Sequence, residues 1–129
     1  MTAPQEDSDR QLMAVIRRLS DSGFDAAAVV SRDGVLLQSE IRASDEGKET
    51  FAAMAAALLG AAETATSELK QGVPRRIIVE IGDRKLIVAG AGPLALMVAL
   101  AGTRTGQVDA VKAVEAAALE VRGLIRPAK

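Results

Sequence analysis

The sequence predicts an α/β (α+β) fold in which a five-stranded antiparallel sheet is covered by helices on both faces. Three observations support this prediction. A long helical pattern runs from Ser44 to Lys70, a hairpin signal surrounds Asp33-Gly34, and the stretch from Leu94 to Ala101 is apolar at every position. A strand that is apolar throughout belongs in the middle of a sheet with both faces covered.

The N-terminal part combines a polar stretch with a short amphipathic helix. Residues 1–7 are polar and contain Pro4, so we expect a flexible tail there. Ser8 and Gln11 form a capping-box pattern, and apolar residues at helical spacing follow until Ser22-Gly23. The expected organisation is therefore a tail over 1–7 and a single domain over 8–126.

A β-hairpin is predicted next. Residues 26–32 and 35–41 flank Asp33-Gly34, the dipeptide that a two-residue type I′ turn prefers. The first arm is almost continuously apolar, whereas the second mixes polar residues with leucines. The first arm is therefore expected nearer the middle of the sheet.

The helix predicted over Ser44 to Lys70 has two different sides. Bulky and apolar residues recur at steps of three and four: Phe51, Met54, Leu58, Ala62, Ala65 and Leu69. Small residues gather on the opposite side: Ala53, Ala56, Ala57, Gly60, Thr64 and Ser67. No charge occurs between Glu49 and Glu63, although a helix side that faces water normally carries charges.

We expect the bulky stripe to face the sheet of this chain. The small-residue side then predicts a second buried face, most economically against the same helix of a second copy. Gly60 supports this prediction, because a glycine inside a helix costs about 1 kcal/mol relative to alanine and often marks the close approach of another backbone. Alternatively, another part of this chain covers that side, or alanine is present only as a good helix former. A membrane span is disfavoured, because the uncharged run from Thr50 to Ala62 is shorter than the ~20 residues that a span requires.

Three further strands are predicted at residues 75–81, 84–89 and 94–101, and a final helix extends from about Val108 to Ile125. The economical sheet has the order 2-1-5-4-3, with the long helix on one face and the other two helices on the opposite face. The third strand then lies at an edge, where it could pair with its own copy. Four basic residues could instead protect that edge: Arg75, Arg76, Arg84 and Lys85.

Composition excludes several classes of function. The chain of 129 residues contains no cysteine and no histidine, which removes thiol chemistry and the commonest general base and metal ligand. A net charge of −1 and only two aromatic residues disfavour nucleic acid as a partner. We find no signal peptide and expect the cytoplasm. Gly90-Ala91-Gly92 and Gly102 to Gly106 are interpreted as turns, and we predict no catalytic residues, cofactor or metal.

Three segments together resemble a known family. The hairpin VSRDGVLL, the helical run MAAALLGAAETATSEL and the strand pair IIVEIGDRKLIVAGAG are similar to those of prokaryotic Roadblock/LC7 domains of the MglB-like group, and the resemblance extends from about Arg10 to Ile125. It implies a profilin-like sandwich that forms a homodimer through the long helix and the third strand. It also implies a non-enzymatic regulator of, or binding platform for, a Ras-like small GTPase, including a GTPase-activating role.

The resemblance assigns binding roles to surfaces of the protein and implies no reactive side chains. Nine residues of the long helix and edge strand are expected at the dimer interface: Ala53, Ala56, Ala57, Gly60, Thr64, Ser67, Arg75, Ile77 and Val79. Glu49 and Glu63 are expected at the rim of a partner-binding surface. The alternative function is a structural adaptor in a larger complex without effect on nucleotide hydrolysis, and a ligand-sensing module is a third and weaker hypothesis.

Overall fold

A computed structural model describes residues 4–102, 105 and 109–127 of the chain. Eight helices and strands follow one another along the sequence: α1 Pro4–Asp21, β1 Phe24–Ser31, β2 Leu36–Glu40, α2 Asp45–Glu68, β3 Arg76–Ile81, β4 Arg84–Gly90, β5 Ala95–Ala101 and α3 Ala110–Leu124. Each predicted helix and strand is thus present, with its ends shifted by a few residues.

The five strands form one antiparallel sheet in the order β2-β1-β5-β4-β3, as predicted. The two strands with the longest apolar runs, β1 and β5, pair at its centre, where Ala28 lies opposite Val98. Every residue of β5 from Ala95 to Ala99 is buried. The prediction that a wholly apolar strand occupies the middle of the sheet is confirmed.

Helices cover the two faces of the sheet unequally, as expected. On one face, α1 and α3 enclose the larger core, to which Ile16, Phe24 and Met97 contribute. On the other face, α2 alone packs over a smaller core around Val30, Leu59 and Val98. The described residues thus leave the outer side of the long helix uncovered.

The first helix differs from the prediction at its start. It begins at Pro4 and not at Ser8, so Ser8 and Gln11 do not mark its N-terminus. Proline is tolerated in a first helical turn, where its missing N–H would have no helical partner. Residues 4–7 of the expected flexible tail are therefore helical, whereas residues 1–3 lie outside the described part of the chain.

The β1–β2 hairpin is present, but the predicted two-residue type I′ turn is wrong. That turn needs a positive φ at both central residues, and only Gly34 has one, at 90°. The backbone N–H of Gly34 donates to the carbonyl of Ser31 at 2.9 Å, and the N–H of Ser31 donates to the carbonyl of Val35 at 2.8 Å. The connection is thus a three-residue loop, Arg32 to Gly34, with the glycine in the left-handed position.

Candidate protein-interaction surface

The candidate site is built on α2, a helix of 24 residues whose start is well defined by its sequence. The hydroxyl oxygen of Ser44 accepts a hydrogen bond from the backbone N–H of Gly47 at 3.0 Å, so Ser44 is the N-cap. Asp45 and Glu46 follow in the first turn, where negative charge is favourable near the helix N-terminus.

The side of α2 that contacts the sheet consists mainly of small residues. Ala52, Ala55 and Leu59 are buried, while Phe51 and Ala56 are partly buried against the same core. This differs from the expectation that the bulky stripe faces inward. Alanine on the inner side lets the helix axis approach the strands closely, and a single leucine and phenylalanine fill the remaining space.

The opposite side of α2 is exposed, uncharged and partly bulky. Met54 is 60% exposed and Leu58 is 39% exposed, so the prediction that these two residues pack on the sheet is wrong. Ala53, Ala57 and Ala61 are exposed beside them. We call these five residues the α2 outer face. A contiguous apolar surface of this kind typically marks a binding site for another protein.

The residues predicted at the dimer interface are distributed over several positions around α2. Ala53, Ala57, Thr64 and Ser67 are exposed, but Ala56 is turned toward the core of its own chain. A Cβ atom added to Gly60 would meet no atom within 4 Å, so nothing in the protomer requires glycine there. The role of these residues in dimerisation stays a prediction.

One of the two predicted rim residues is part of a side-chain network that sequence analysis missed. Arg32 donates from Nη1 to both carboxylate oxygens of Glu63, at 3.0 and 2.9 Å, and from Nε to the carbonyls of Gly92 and Ala95. Both side chains are less than a third exposed. Glu63 therefore ties α2 to the hairpin loop and the β4–β5 turn, whereas Glu49 is exposed near the start of α2.

The edge strand β3 presents Ile77 and Val79, the two strand residues predicted at the dimer interface, on the same face of the sheet as α2. Ile77 lies opposite Val88, which belongs to the core under α2, and alternation places Val79 on that face too. Both are half-buried, while Arg75 is exposed just before the strand. β3 pairs with β4 alone in the sheet, so its outer backbone groups have no strand partner among the described residues.

Two of the basic residues that could protect this edge are engaged elsewhere. Arg76 contacts Glu115 of α3 at 3.0 Å, and Arg84 lies 3.7 Å from Asp25 of β1. Their guanidinium groups are thus held by carboxylates of the same chain. This weakens the interpretation in which basic side chains repel a second strand from β3.

The structure describes one of the two glycine-rich segments that were interpreted as turns, and only part of the other. Gly90-Ala91-Gly92 lies at the β4–β5 connection, as interpreted, and the N–H of Ala91 bonds to the carbonyl of Ala95 at 3.0 Å. Most of the segment from Gly102 to Gly106 lies outside the described residues. In the described part of the chain, no group of three or more acidic residues is arranged to hold a metal ion, and no helix is long and apolar enough to cross a membrane.

The sheet order, the two-sided helical cover and the long α2 are those expected of a Roadblock/LC7 domain. A Roadblock/LC7 family model matches residues 11–101, and the chain belongs to that family. Among solved structures, MglB of Myxococcus xanthus is 17% identical, with 88% of this chain and 93% of that chain covered and a TM-score of 0.77. The gliding protein MglB of Thermus thermophilus is 18% identical over 96% of this chain and 92% of that chain, with a TM-score of 0.79.

A more distant structural similarity supports the profilin-like description of the fold. Profilin II of Acanthamoeba castellanii is 16% identical over 81% of this chain and 90% of that chain, with a TM-score of 0.60. No curated protein sequence matches the chain. At these identities the structural similarity establishes the fold, whereas function has to be argued from the surfaces of the protein.

Proposed function

We propose that this protein is a non-enzymatic, cytoplasmic homodimer that serves as a binding platform for, and regulator of, a Ras-like small GTPase. The observation that carries the proposal is the α2 outer face. It exposes Met54 and Leu58 among alanines and has no charge between Glu49 and Glu63. Family membership and the similarity to MglB structures support the same function.

Dimerisation is favoured by two features on one face of the sheet. The α2 outer face would bury methionine, leucine and alanine side chains against a second copy, and small residues allow two helices to lie close together. The edge strand β3 lies on the same sheet and has unpaired backbone groups that a second β3 would satisfy. A two-fold axis between these elements joins two sheets and sets two α2 helices side by side.

A platform of this kind would act on a GTPase by positioning the GTPase's own catalytic loops and would supply no reacting group itself. Hydrolysis of GTP depends on the correct placement of the GTPase's own loops around the phosphates and the attacking water. A rigid surface that binds those loops in their ordered conformation raises the rate without adding a reacting group. Each α2 helix would be held in place for this role by the buried Leu59 and by the Glu63–Arg32 ion pair.

Single-turnover GTP hydrolysis by a Ras-like GTPase from the same organism tests the proposal. The rate is measured with and without this protein, together with complex formation by size-exclusion chromatography and light scattering. We expect a complex and a faster rate, and both should be lost in the double variant Met54→Ser/Leu58→Ser. The control Leu94→Ser changes an apolar residue of the β4–β5 turn that is 40% exposed, close to the 39% of Leu58.

The alternative function is a structural adaptor that assembles a larger complex and leaves nucleotide hydrolysis unchanged. The same open apolar face supports it, because a platform needs no catalytic contribution to hold its partner. A stable complex with an unchanged rate of hydrolysis would favour the adaptor. Failure to form any complex with the GTPase would overturn the GTPase proposal.

A further inference from the structure

A groove lies at the end of the sheet, away from the α2 outer face, where the β4–β5 turn meets α3. Its volume is about 640 Å³, and its lining comes from the end of α2, the approach to β3, the β4–β5 turn and α3. A second cavity of about 510 Å³ continues along α3 toward its C-terminus. Pro93, Leu119 and Arg122 line both cavities, so the two form one continuous channel, which we call the α3 groove.

The charge of the α3 groove is opposite to that of the whole chain. The protein carries a net charge of −1, but the two cavities are lined by four arginines and two glutamates, a formal charge of +2. Both glutamates are already neutralised within the chain, Glu63 by Arg32 and Glu115 by Arg76. The groove therefore has positive charge that its own carboxylates do not balance.

Two of these arginines have guanidinium groups without a partner. Among the described residues, the guanidinium groups of Arg75 and Arg122 make no hydrogen bond or ion pair. The stem of Arg122 packs across the β4–β5 turn, where a Cβ atom added to Gly92 would lie only 3.0 Å from its Cγ atom. This packing orders the side chain before any ligand arrives, which lowers the entropy cost of forming an ion pair.

Apolar residues complete the groove. Leu119 is 67% exposed on α3, and Val73 is exposed on the opposite wall. No aromatic residue contributes to the lining, so bases of a nucleic acid would have nothing on which to stack. A protein segment that alternates carboxylates with an aliphatic side chain matches both the charge and the apolar positions.

We infer that the α3 groove binds an acidic, leucine-bearing segment of a partner protein, separately from the surface formed by α2. Carboxylates of that segment pair with Arg75, Arg122 and Arg126, and an aliphatic side chain packs on Leu119. The protein would thus connect two partners, one on the α2 outer face and one in the α3 groove. Arg75 also precedes β3, which the proposed homodimer would pair, so the test relies on Leu119 and Arg122 of α3, which belong neither to the α2 outer face nor to β3.

The test uses the full chain and a fluorescein-labelled synthetic peptide of glutamates with a leucine at every fourth position. Fluorescence anisotropy should show saturable binding that weakens as salt is added. Two comparison peptides, with lysine in place of glutamate or serine in place of leucine, should bind at least about tenfold more weakly. An oligonucleotide of the same length serves as the competing polyanion.

Matched variants locate the peptide on the protein. Arg122→Glu reverses one charge of the groove, and Leu119→Ser removes its exposed apolar contact; each should weaken binding about fivefold. Arg17→Glu makes the same charge reversal on the exposed side of α1 and should change affinity less than twofold beyond the effect of net charge. Thermal unfolding of each variant separates loss of binding from loss of folding, and Leu119→Ser keeps the test valid if Arg122→Glu unfolds.

Several results would overturn the inference. These are the absence of saturable binding at millimolar protein, equal binding of the lysine peptide, tighter binding of the oligonucleotide, and equal losses in Arg122→Glu and Arg17→Glu. A change in oligomeric mass in Arg122→Glu without peptide binding to the wild type would assign the groove to a second copy of this chain. That result would leave the proposal for the α2 outer face unchanged.

Discussion

Removing the two large side chains of the α2 outer face should separate the proposed dimer without unfolding the protomer. Full burial of a methionine or leucine is worth roughly 1.5–3 kcal/mol. Met54 is 60% exposed and Leu58 is 39% exposed in the protomer, so covering what remains would contribute about 2 kcal/mol per chain together. A two-fold dimer contains both residues twice, which gives about 4 kcal/mol, or about a thousandfold in the dissociation constant.

The double variant Met54→Ser/Leu58→Ser is therefore expected to be monomeric at concentrations where the wild type is dimeric. Sedimentation equilibrium over a range of concentrations measures the mass, and circular dichroism checks that the helical content is retained. Leu94→Ser, in the β4–β5 turn and about as exposed as Leu58, should keep the wild-type mass. If the double variant and the wild type have the same dissociation constant, the α2 outer face is not the interface.

Three further predictions concern the protomer and are checked by urea unfolding in the Met54→Ser/Leu58→Ser background, so that the proposed dimer does not contribute to the measured stability. Ala57→Arg should change the free energy of unfolding by less than about 0.5 kcal/mol. Ala56→Arg should lower it by about 1–3 kcal/mol, because the larger side chain overpacks the core under α2. Equal effects of the two substitutions would contradict the observed orientation of α2. Gly92→Ala should lower the free energy of unfolding by about 1–2 kcal/mol, because Gly92 has φ 84° and lies against the stem of Arg122. Gly123→Ala should leave it unchanged or raise it, because an added Cβ atom meets open space in α3. Arg32→Met should cost about 1–3 kcal/mol by leaving a half-buried glutamate and a carbonyl without their donor; an unchanged midpoint would show that the network is dispensable.

The parts of the fold that depend on apolar runs were predictable from the sequence. A strand that is apolar at every position has to be covered on both faces, and this placed β5 and β1 at the centre of the sheet. The loop of the hairpin was less predictable. Asp33-Gly34 suits a two-residue turn by composition, but Arg32 belongs to the loop, where its guanidinium reaches Glu63 and the β4–β5 turn.

The orientation of α2 could not be derived from periodicity alone. In a helix rich in alanine, both sides are apolar, and the larger side chains were assigned to the core because burial of area favours them. The structure instead buries Ala52 and Ala55 and leaves Met54 exposed. Small residues on the inner side permit close packing of a helix on a sheet, and the periodicity of the sequence does not show which side does so. The contact of Arg32 with Glu63, which are 31 positions apart, likewise follows from tertiary structure and has no local sequence signal.

The three helices of this chain provide an internal comparison for the α2 outer face. Single exposed apolar residues are ordinary on protein surfaces, and α1 and α3 both surround theirs with charges, such as Arg17 on α1 and Lys112 on α3. The outer side of α2 has none from Thr50 to Ala62. Since all three helices lie on one sheet in the same solvent, composition bias alone would have affected them alike. The absence of charge on an exposed side is therefore specific to α2, and this is the pattern expected if a protein surface covers it.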